Sequence, residues 1–459
     1  MELNPKHIPE LDPGFTPAVI WNREFRNLAG QNPSPFAISL ERPDGTRSTT
    51  RTEICADSDR AELNFTYSER LLKFLLWQKG GCRICLGGDA ELGRRLAEVY
   101  SASGARAFDV DFMGNKAYGQ GLEFTICGFD DVPDSSESES ALGGHLDGCR
   151  IGFDLGGSDR KCAAVIDGKV VHSEEVEWSP YFEKDAQYHL DGIRDSLKSA
   201  ASHLPRVDAV GGSAAGVYVD SEVRVASLFR GIPDDKFAET ARPIFKNLQR
   251  EWNVPFVVVN DGDVTALAGS MSFGDNAFLG VAMGTAEAAG YINASGRITS
   301  WLNELAFCPV DYRRDVAVDE WSGDAGCGVQ YFSQQGVARL APVAGIEFAE
   351  NVPLPDRLAE VQSLMKAGDA RARKIYESIG VWFGYSIAHY AEFYELRNLL
   401  ILGRVTSGTG GELLIEKAQH VLRDEFPDLA EQVRFRRPDE KFKRHGQAVA
   451  AASLPELTG

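Results

Sequence analysis

The sequence has no uninterrupted apolar run of about 18 residues, the length a membrane-spanning helix needs. Its first stretch, MELNPKHIPELDPGF, lacks both the basic leader and the apolar core of a secretory signal. Both absences argue against export and membrane insertion and point to the cytoplasm. Positive charge is scarce too: 48 Lys and Arg stand against 67 Asp and Glu, a formal net charge of -19. That balance repels nucleic acid and anionic membranes and favours a small-molecule partner. The eight cysteines are scattered. Their one close pair, Cys82 and Cys85 in GCRIC, sits in an apolar run with no second pair at metal spacing, which reads as buried, reduced thiols. Histidine is missing altogether between His203 and His389.

What is present suits two or three cores: 459 residues, 43% of them hydrophobic. The stretch DDVPDSSESESALGGHLDG, 130 to 148, is acidic and rich in serine and glycine, so residues 131–148 read as an exposed linker behind an N-terminal domain of residues 1–130. Within that domain PFAISLERPDG reads as strand and turn, YSERLLKFLLWQKG as a glycine-capped helix, CRICLGG as a strand and DAELGRRLAEVYSASG as a helix. FDVDFMGNKAYGQGLEF reads as a strand pair with a glycine loop. The mixture implies an additional α/β or α+β unit.

Beyond the linker, IGFDLGGSDRKCAAVIDGKVV reads strand, glycine turn, strand, Asp-Gly hairpin, strand. LGVAMGTAEAAGYINASGRIT, 279 to 299, repeats that order around a Gly-Thr turn, which predicts a duplicated α/β core of two lobes, 149–270 and 271–459, facing a cleft. A turn of glycines and a small hydroxyl aims several backbone N–H groups at one point and suits a phosphate. Asp154 beside it can hold Mg²⁺ through oxygen, and Lys161 can balance phosphate charge. A third glycine loop, LILGRVTSGTGGELLIEKAQHVL, follows a strand and opens a helix whose N-terminus can receive a ligand oxygen or base edge. In VPFVVVNDGDVTALAGS, Asn260 and Asp261 end a buried strand, where α/β folds put ligands. Asp261 there can take a proton from a hydroxyl, and Asn260 can bond a polyol; equally, both can cap the helix that follows.

The motifs DLGGS with Lys161, GGSAAGVYVD, VVVNDGD, AMGT and LILGRV occur in an order and spacing that resemble the ROK family of sugar kinases and repressors, within the actin, sugar kinase and Hsp70 superfamily. The likeness runs from Cys149 to about Leu454, where GQAVAAASLP is similar to that family's closing small-residue helix. It implies a ribonuclease-H-like, actin/hexokinase-type two-lobe kinase core that passes the γ-phosphoryl group of ATP to a sugar hydroxyl, with Mg²⁺ as cofactor. The resemblance makes Asp261 the catalytic base and Asp154 the Mg²⁺ and phosphate acid. It gives Gly156, Gly157, Ser158 and Lys161 to the first phosphate loop, Gly284 and Thr285 to the second, and Gly403 to the nucleotide loop. Gly216, Asn260 and Glu304 fall on sugar-contact positions. The implied partners are a sugar and a nucleotide, with a homodimer compatible.

Three departures leave open a second reading, a catalytically silent sugar- or nucleotide-binding sensor or scaffold. The second turn runs Gly284-Thr285-Ala286-Glu287 without further glycines, and Glu287 would repel phosphates if it faced them. In WLNELAFCPVDYRRDVAVDEWSGDAGCGVQYFS, Glu304 keeps its place in the family's Glu-x-x-His, but Phe307 stands at the histidine. Of the family's zinc cysteines Cys327 survives, with Cys308 as the one nearby partner, too few for a closed site, so no zinc is expected. Residues 1 to 148 carry 15 Lys and Arg against 23 Asp and Glu, the opposite of a DNA-binding footprint.

Overall fold

Apolar runs broken by glycine and Asp-Gly turns make fifteen strands among the residues that the computed structural model describes, 1–137, 142–437 and 446–457. The first lobe holds β5 (Cys149–Leu155), β6 (Asp159–Ile166), β7 (Lys169–Glu177), β8 (Ala209–Ala214) and β11 (Phe256–Asn260), after β1 to β4 of the N-terminal unit described below. Their order is β11-β8-β5-β6-β7, with β11, β8 and β5 parallel and β5-β6-β7 antiparallel. Every residue of β5 and β8 is buried, as central parallel strands require. Asp167 and Gly168 both take positive φ, 47° and 76°, at the predicted hairpin between β6 and β7. A small hairpin, β9 (Val217–Val219) and β10 (Glu222–Val225), stands beside the sheet.

The second lobe repeats the plan with β12 (Phe278–Met283), β13 (Glu287–Ile292), β14 (Asn398–Leu402) and β15 (Arg434–Arg436) in the order β13-β12-β14-β15. β12 is antiparallel to β13 across the Gly-Thr turn and parallel to β14, as β5 is to β6 and β8. The expected third strand of this repeat does not form: a single bridge, Ile292 to Ile298, stands where β7 has its counterpart. The chain is drawn off instead, because Asn303 N and Glu304 N donate to Gln78 O (2.9 Å) and Trp77 O (3.0 Å) of another helix. The helix Gln447–Ala452 returns to the first sheet. A Cβ on Gly152 would strike Ala448 O and one on Gly211 would strike Ala451 O, so bare backbone at both lets the small-residue helix lie on β5 and β8.

The N-terminal unit is a sheet in the order β2-β1-β3-β4, built from β1 (Pro33–Glu41), β2 (Arg47–Cys55), β3 (Arg83–Gly87) and β4 (Glu123–Cys127). It shares its core with the second lobe: one apolar cluster runs from Phe25, Phe36, Leu72 and Trp77 into Tyr331, Trp382 and Tyr385. The helix Ala18–Ala29 packs on the helix Ala370–Tyr390, and Phe74 stacks on Phe393 at 4.1 Å between ring centres. Two sequence expectations change here. Residues 107 to 118 are helical, Ala107–Val110 continuing as a π-helical turn Asp111–Tyr118, where a strand pair was expected; the helix turns Asp109 inward to Lys73 and Trp77. The expected linker is tied down at its start, where Ser136 bridges Arg47 and the Glu137 carboxylate receives Arg42 Nη2 (2.8 Å) and Trp301 Nε1 (3.1 Å). Residues 138–141 of it lie outside the described residues. No helix among the described residues is long and apolar enough to cross a membrane.

Candidate active site

The carboxyl ends of β5, β8 and β11 align, with Asp154 opposite Ser213, and Leu155 and Asn260 both opposite Ala214. Asp154 is buried, and Ser213 Oγ donates to its Oδ1 at 2.6 Å. Burial pushes its carboxyl up, against the pull of Ser213 and Lys161. Lys161 is the cross-strand partner of Asp154 and pairs with Asp159 at 3.1 Å. The first turn closes by Gly156 N donating to Asp159 O, with Gly156 and Gly157 half-buried and Ser158 exposed; the Ser158 hydroxyl donates to Asp159 (3.0 Å). Trp178 Nε1 donates to Gly156 O at 2.8 Å, and the Tyr181 hydroxyl lies where a Cβ on Gly157 would point.

Asn260 caps the following helix, one of the two roles its position suggested, and also ties down the Gly216 loop. Its Oδ1 caps the helix Asp261–Phe273 by accepting from Gly262 N (2.7 Å), and its Nδ2 donates to Gly216 O (2.7 Å). Gly216 takes φ 130° and abuts Val225 and Ala226, so no side chain fits there. Asp261 follows as the first helical residue, its carboxyl pushed up to about 6 by burial and by the charge of Asp154. Glu304 arrives from the second lobe, pushed up to about 7 by burial and by Asp261. The structure thus puts Asp261 in the field of Asp154 and Glu304 in the field of Asp261, a chain of three acids that joins the first lobe to the second.

Glu287 does not face the phosphate turn. Strand alternation buries it to 3% exposure, with Gly328 beside it and Tyr390 Oη donating to its Oε1 at 3.4 Å; burial pushes its carboxyl to about 8. Gly284 and Thr285 stay at the surface of the turn, and Gly284 O accepts from Gln334 N. Gly403, at φ 100°, lies against the backbone of Met283, which joins the third glycine loop to the second turn before the helix Gly408–Glu425 begins.

The segment around Phe307 is held by the N-terminal unit. The Phe307 ring sits 4.2 Å from that of Trp77 and joins Phe108, Phe112 and Trp321 in one aromatic cluster. Cys308 Sγ points at Phe74 O (3.6 Å), and Cys327 Sγ at Asp324 Oδ2 (3.5 Å). Asp324 is the hub of a buried ion network. Arg70 (3.3 Å), Lys73 (3.5 Å) and Arg106 (2.5 Å) reach it, while Glu69 binds Arg70 and Arg106 and Asp109 binds Lys73 (2.7 Å). Burial raises the cost of charging Asp324, yet Arg70 and Lys73 hold it below the usual carboxylate range.

Sequence reasoning missed four groups. Ser213 on Asp154 was signalled only by a hydroxyl in the small-residue run GGSAAG. Tyr218, whose buried phenol feels Asp261, gave no signal. Asn303 holds the Glu304 loop, its Nδ2 donating to Asp263 (3.0 Å) and its Oδ1 accepting from Tyr394 (3.0 Å). Trp77 and Gln78 supply the carbonyls that hold it from the other side.

No family model matches the chain. Over 307 residues, 62% of this chain and 89% of the relative, it is 26% identical to a glucokinase of Halalkalibacterium halodurans. The ROK hexokinase from Thermus thermophilus superposes with a TM-score of 0.51 at 19% identity, over 66% of this chain and 96% of that one. A ROK family transcriptional regulator, homolog of the E. coli MLC protein, superposes with a TM-score of 0.53 at 16% identity, over 67% of this chain and 78% of that one. The chain has the two-lobe fold of these ROK proteins.

Proposed function

We propose that this chain, a ROK-like protein by fold and sequence, is a sugar kinase that transfers the γ-phosphoryl group of Mg²⁺·ATP to a hydroxyl of a hexose or related sugar. The observation that carries the reading is Asp261. A carboxyl pushed up to about 6 is mostly ionised at neutral pH yet basic enough to take a hydroxyl proton, and it sits beside Asp154 and Glu304. Glu304, near 7, exists in both protonation states and so both donates to and accepts from sugar hydroxyls. Asn260 fixes the loop that carries Asp261 by bonding Gly216 and Gly262 at once.

The residues present fit the implied cofactor. Asp154, held through one oxygen by Ser213, would take Mg²⁺ directly or through water, and Lys161 would meet phosphate oxygens. Backbone at the half-buried Gly156, Gly157 and Gly284 and at the exposed Thr285 would cradle phosphates, and Gly403 would adjoin the base. Bound there, Mg²⁺·ATP supplies the phosphoryl group and neutralises its charge. The chain's own part is to position the hydroxyl, accept its proton at Asp261 and exclude water by lobe closure.

The second reading, binding without turnover, draws on two observations. Tyr181 and Trp178 crowd the first phosphate turn, and Phe307 is committed to an aromatic core instead of a ligand. The deciding experiment measures ADP release from Mg²⁺·ATP with a panel of hexoses, amino sugars and N-acetylated sugars, for wild type and Asp261→Asn. Sugar-dependent release that collapses in the variant supports the kinase. Thermal stabilisation by a sugar or nucleotide with no turnover supports the sensor.

A further inference from the structure

Residues before the first helix run as a strap across the outer helices of the second lobe. Lys6 N donates to Glu425 (3.0 Å), His7 N to the Tyr385 hydroxyl (3.0 Å) and Leu11 N to Ser378 Oγ (3.3 Å). Where the strap crosses the end of the helix Gly408–Glu425, three donor side chains converge. Nε2 of His7 lies 2.9 Å, and Nε2 of His420 3.1 Å, from the same Oδ2 of Asp424. All three ligand atoms fall within 4.8 Å of one another, and the two rings meet edge to face with centres 5.1 Å apart. His420 and Asp424 are one helical turn apart, so the helix sets their spacing. His7 comes from 417 residues before Asp424, and its side chain is only 13% exposed.

We propose that His7, His420 and Asp424 bind one divalent cation of the Zn²⁺ class as a staple between the strap and this helix. Two imidazole nitrogens and one carboxylate oxygen suit a borderline ion and leave a position for water, whereas Mg²⁺ and Ca²⁺ take oxygen ligands. Asp424 lies in the last turn of its helix, where the negative end of the dipole favours a cation. Two neighbouring positive charges are already engaged: Lys6 Nζ donates to Asp424 O, and Arg23 pairs with Glu425. In the unloaded arrangement Nε2 of each ring faces Oδ2 of Asp424. Metal binding uses the Nε2 lone pair, so each neutral ring carries its proton on Nδ1, and a ring that is imidazolium must release one proton. Binding therefore weakens in acid. The site lies about 24 Å along the helix from Gly408 at 1.5 Å per residue, so this cation takes no part in chemistry at the cleft.

The test uses the full chain, stripped with EDTA and titrated with ZnCl₂, with Co²⁺ as a spectroscopic probe. The expected result is one site per chain whose Co²⁺ spectrum lacks thiolate charge-transfer bands. Zn²⁺, but not Mg²⁺, raises the unfolding midpoint by several degrees, because the cation binds the folded state selectively. His420→Ala and His7→Ala each abolish that site and that shift; both remove side chains at the protein surface or in the strap, so the fold is retained. The proposal is overturned by the absence of a saturable site, by binding that is unchanged in both variants, or by a thiolate-type Co²⁺ spectrum, which would send the cation to the cysteines.

Discussion

Two regions of the molecule gather buried carboxylates and treat them in opposite ways. At the candidate site Asp261 lies in the fields of both Asp154 and Glu304, Lys161 is the cation near Asp154, and every one of the three acids is pushed up. Where the N-terminal unit meets the second lobe, Glu69, Asp109 and Asp324 meet Arg70, Lys73 and Arg106; the hub Asp324, reached by all three cations, is pushed down, while Asp109, with Lys73 alone, is still pushed up by burial. Burial is common to both, so burial does not decide. The number of cations does: Asp261 and Glu304, left with other acids, are pushed up to about 6 and about 7, where proton transfer is useful, and Asp324, met by three cations, is held down as a fixed strut.

The contrast is broken most severely at its catalytic side. Asp261→Asn should lower sugar-dependent turnover about 10²- to 10⁴-fold, the range for a lost general base, without lowering the unfolding midpoint. In wild type, kcat/KM should fall as pH drops through about 6, because the base works only when ionised; the variant's residual rate should lose that limb. On the structural side, Lys73→Met leaves Asp109 and Asp324 buried without their shared cation. The loss should be about 3–5 kcal/mol, read as a lower denaturant midpoint at unchanged slope. Trp77→Phe keeps the ring on Phe307 but deletes the donor to Asp109, which now accepts at 2.6 Å, and should cost about 1.5–3 kcal/mol by the same measurement.

The subtlest test sharpens the comparison by reversing its sign. Glu287 is pushed from 4.5 to about 8 in the folded chain, chiefly by burial. Between those values the unfolded chain has released the proton that the folded chain still holds, so wild-type stability should fall as pH rises from about 4.5 to about 8. Glu287→Gln removes that dependence. Its unfolding midpoint should meet that of wild type near pH 5 and exceed it at pH 8; a variant that tracks wild type across the window would refute the assignment.

Much of the site was legible because its determinants are local. Glycine at Gly156 and Gly157, the acids ending β5 and beginning the helix after β11, and the Asp-Gly hairpin each depend on neighbours a few residues away. The turn chemistry of Asp167 and Gly168 needs no partner beyond its own backbone. Glu287 looked hostile to phosphate, and strand alternation turned it inward. Two expectations failed where distant partners compete for the chain. The third strand of the second repeat, expected before residue 300, shrinks to the bridge from Ile292 to Ile298, with the chain beyond it held at residues 303 and 304 by the carbonyls of Gln78 and Trp77, and residues 107 to 118 became helical around Asp109.

The sequence alone determined the two-lobe plan and the residues at its turns, because strand, turn and cap preferences act over a few residues and repeat in register. It also determined the acidic surface, a property of composition. Tertiary structure alone decided that the N-terminal unit would share the second lobe's core, that the end of its helix Ala61–Lys79 would hold Glu304, and that Asp324 would be neutralised by Arg70, Lys73 and Arg106. The physical reason is that a buried charge or a helix-terminal carbonyl is costly until a partner arrives, and nothing in the order of residues says which distant group will come.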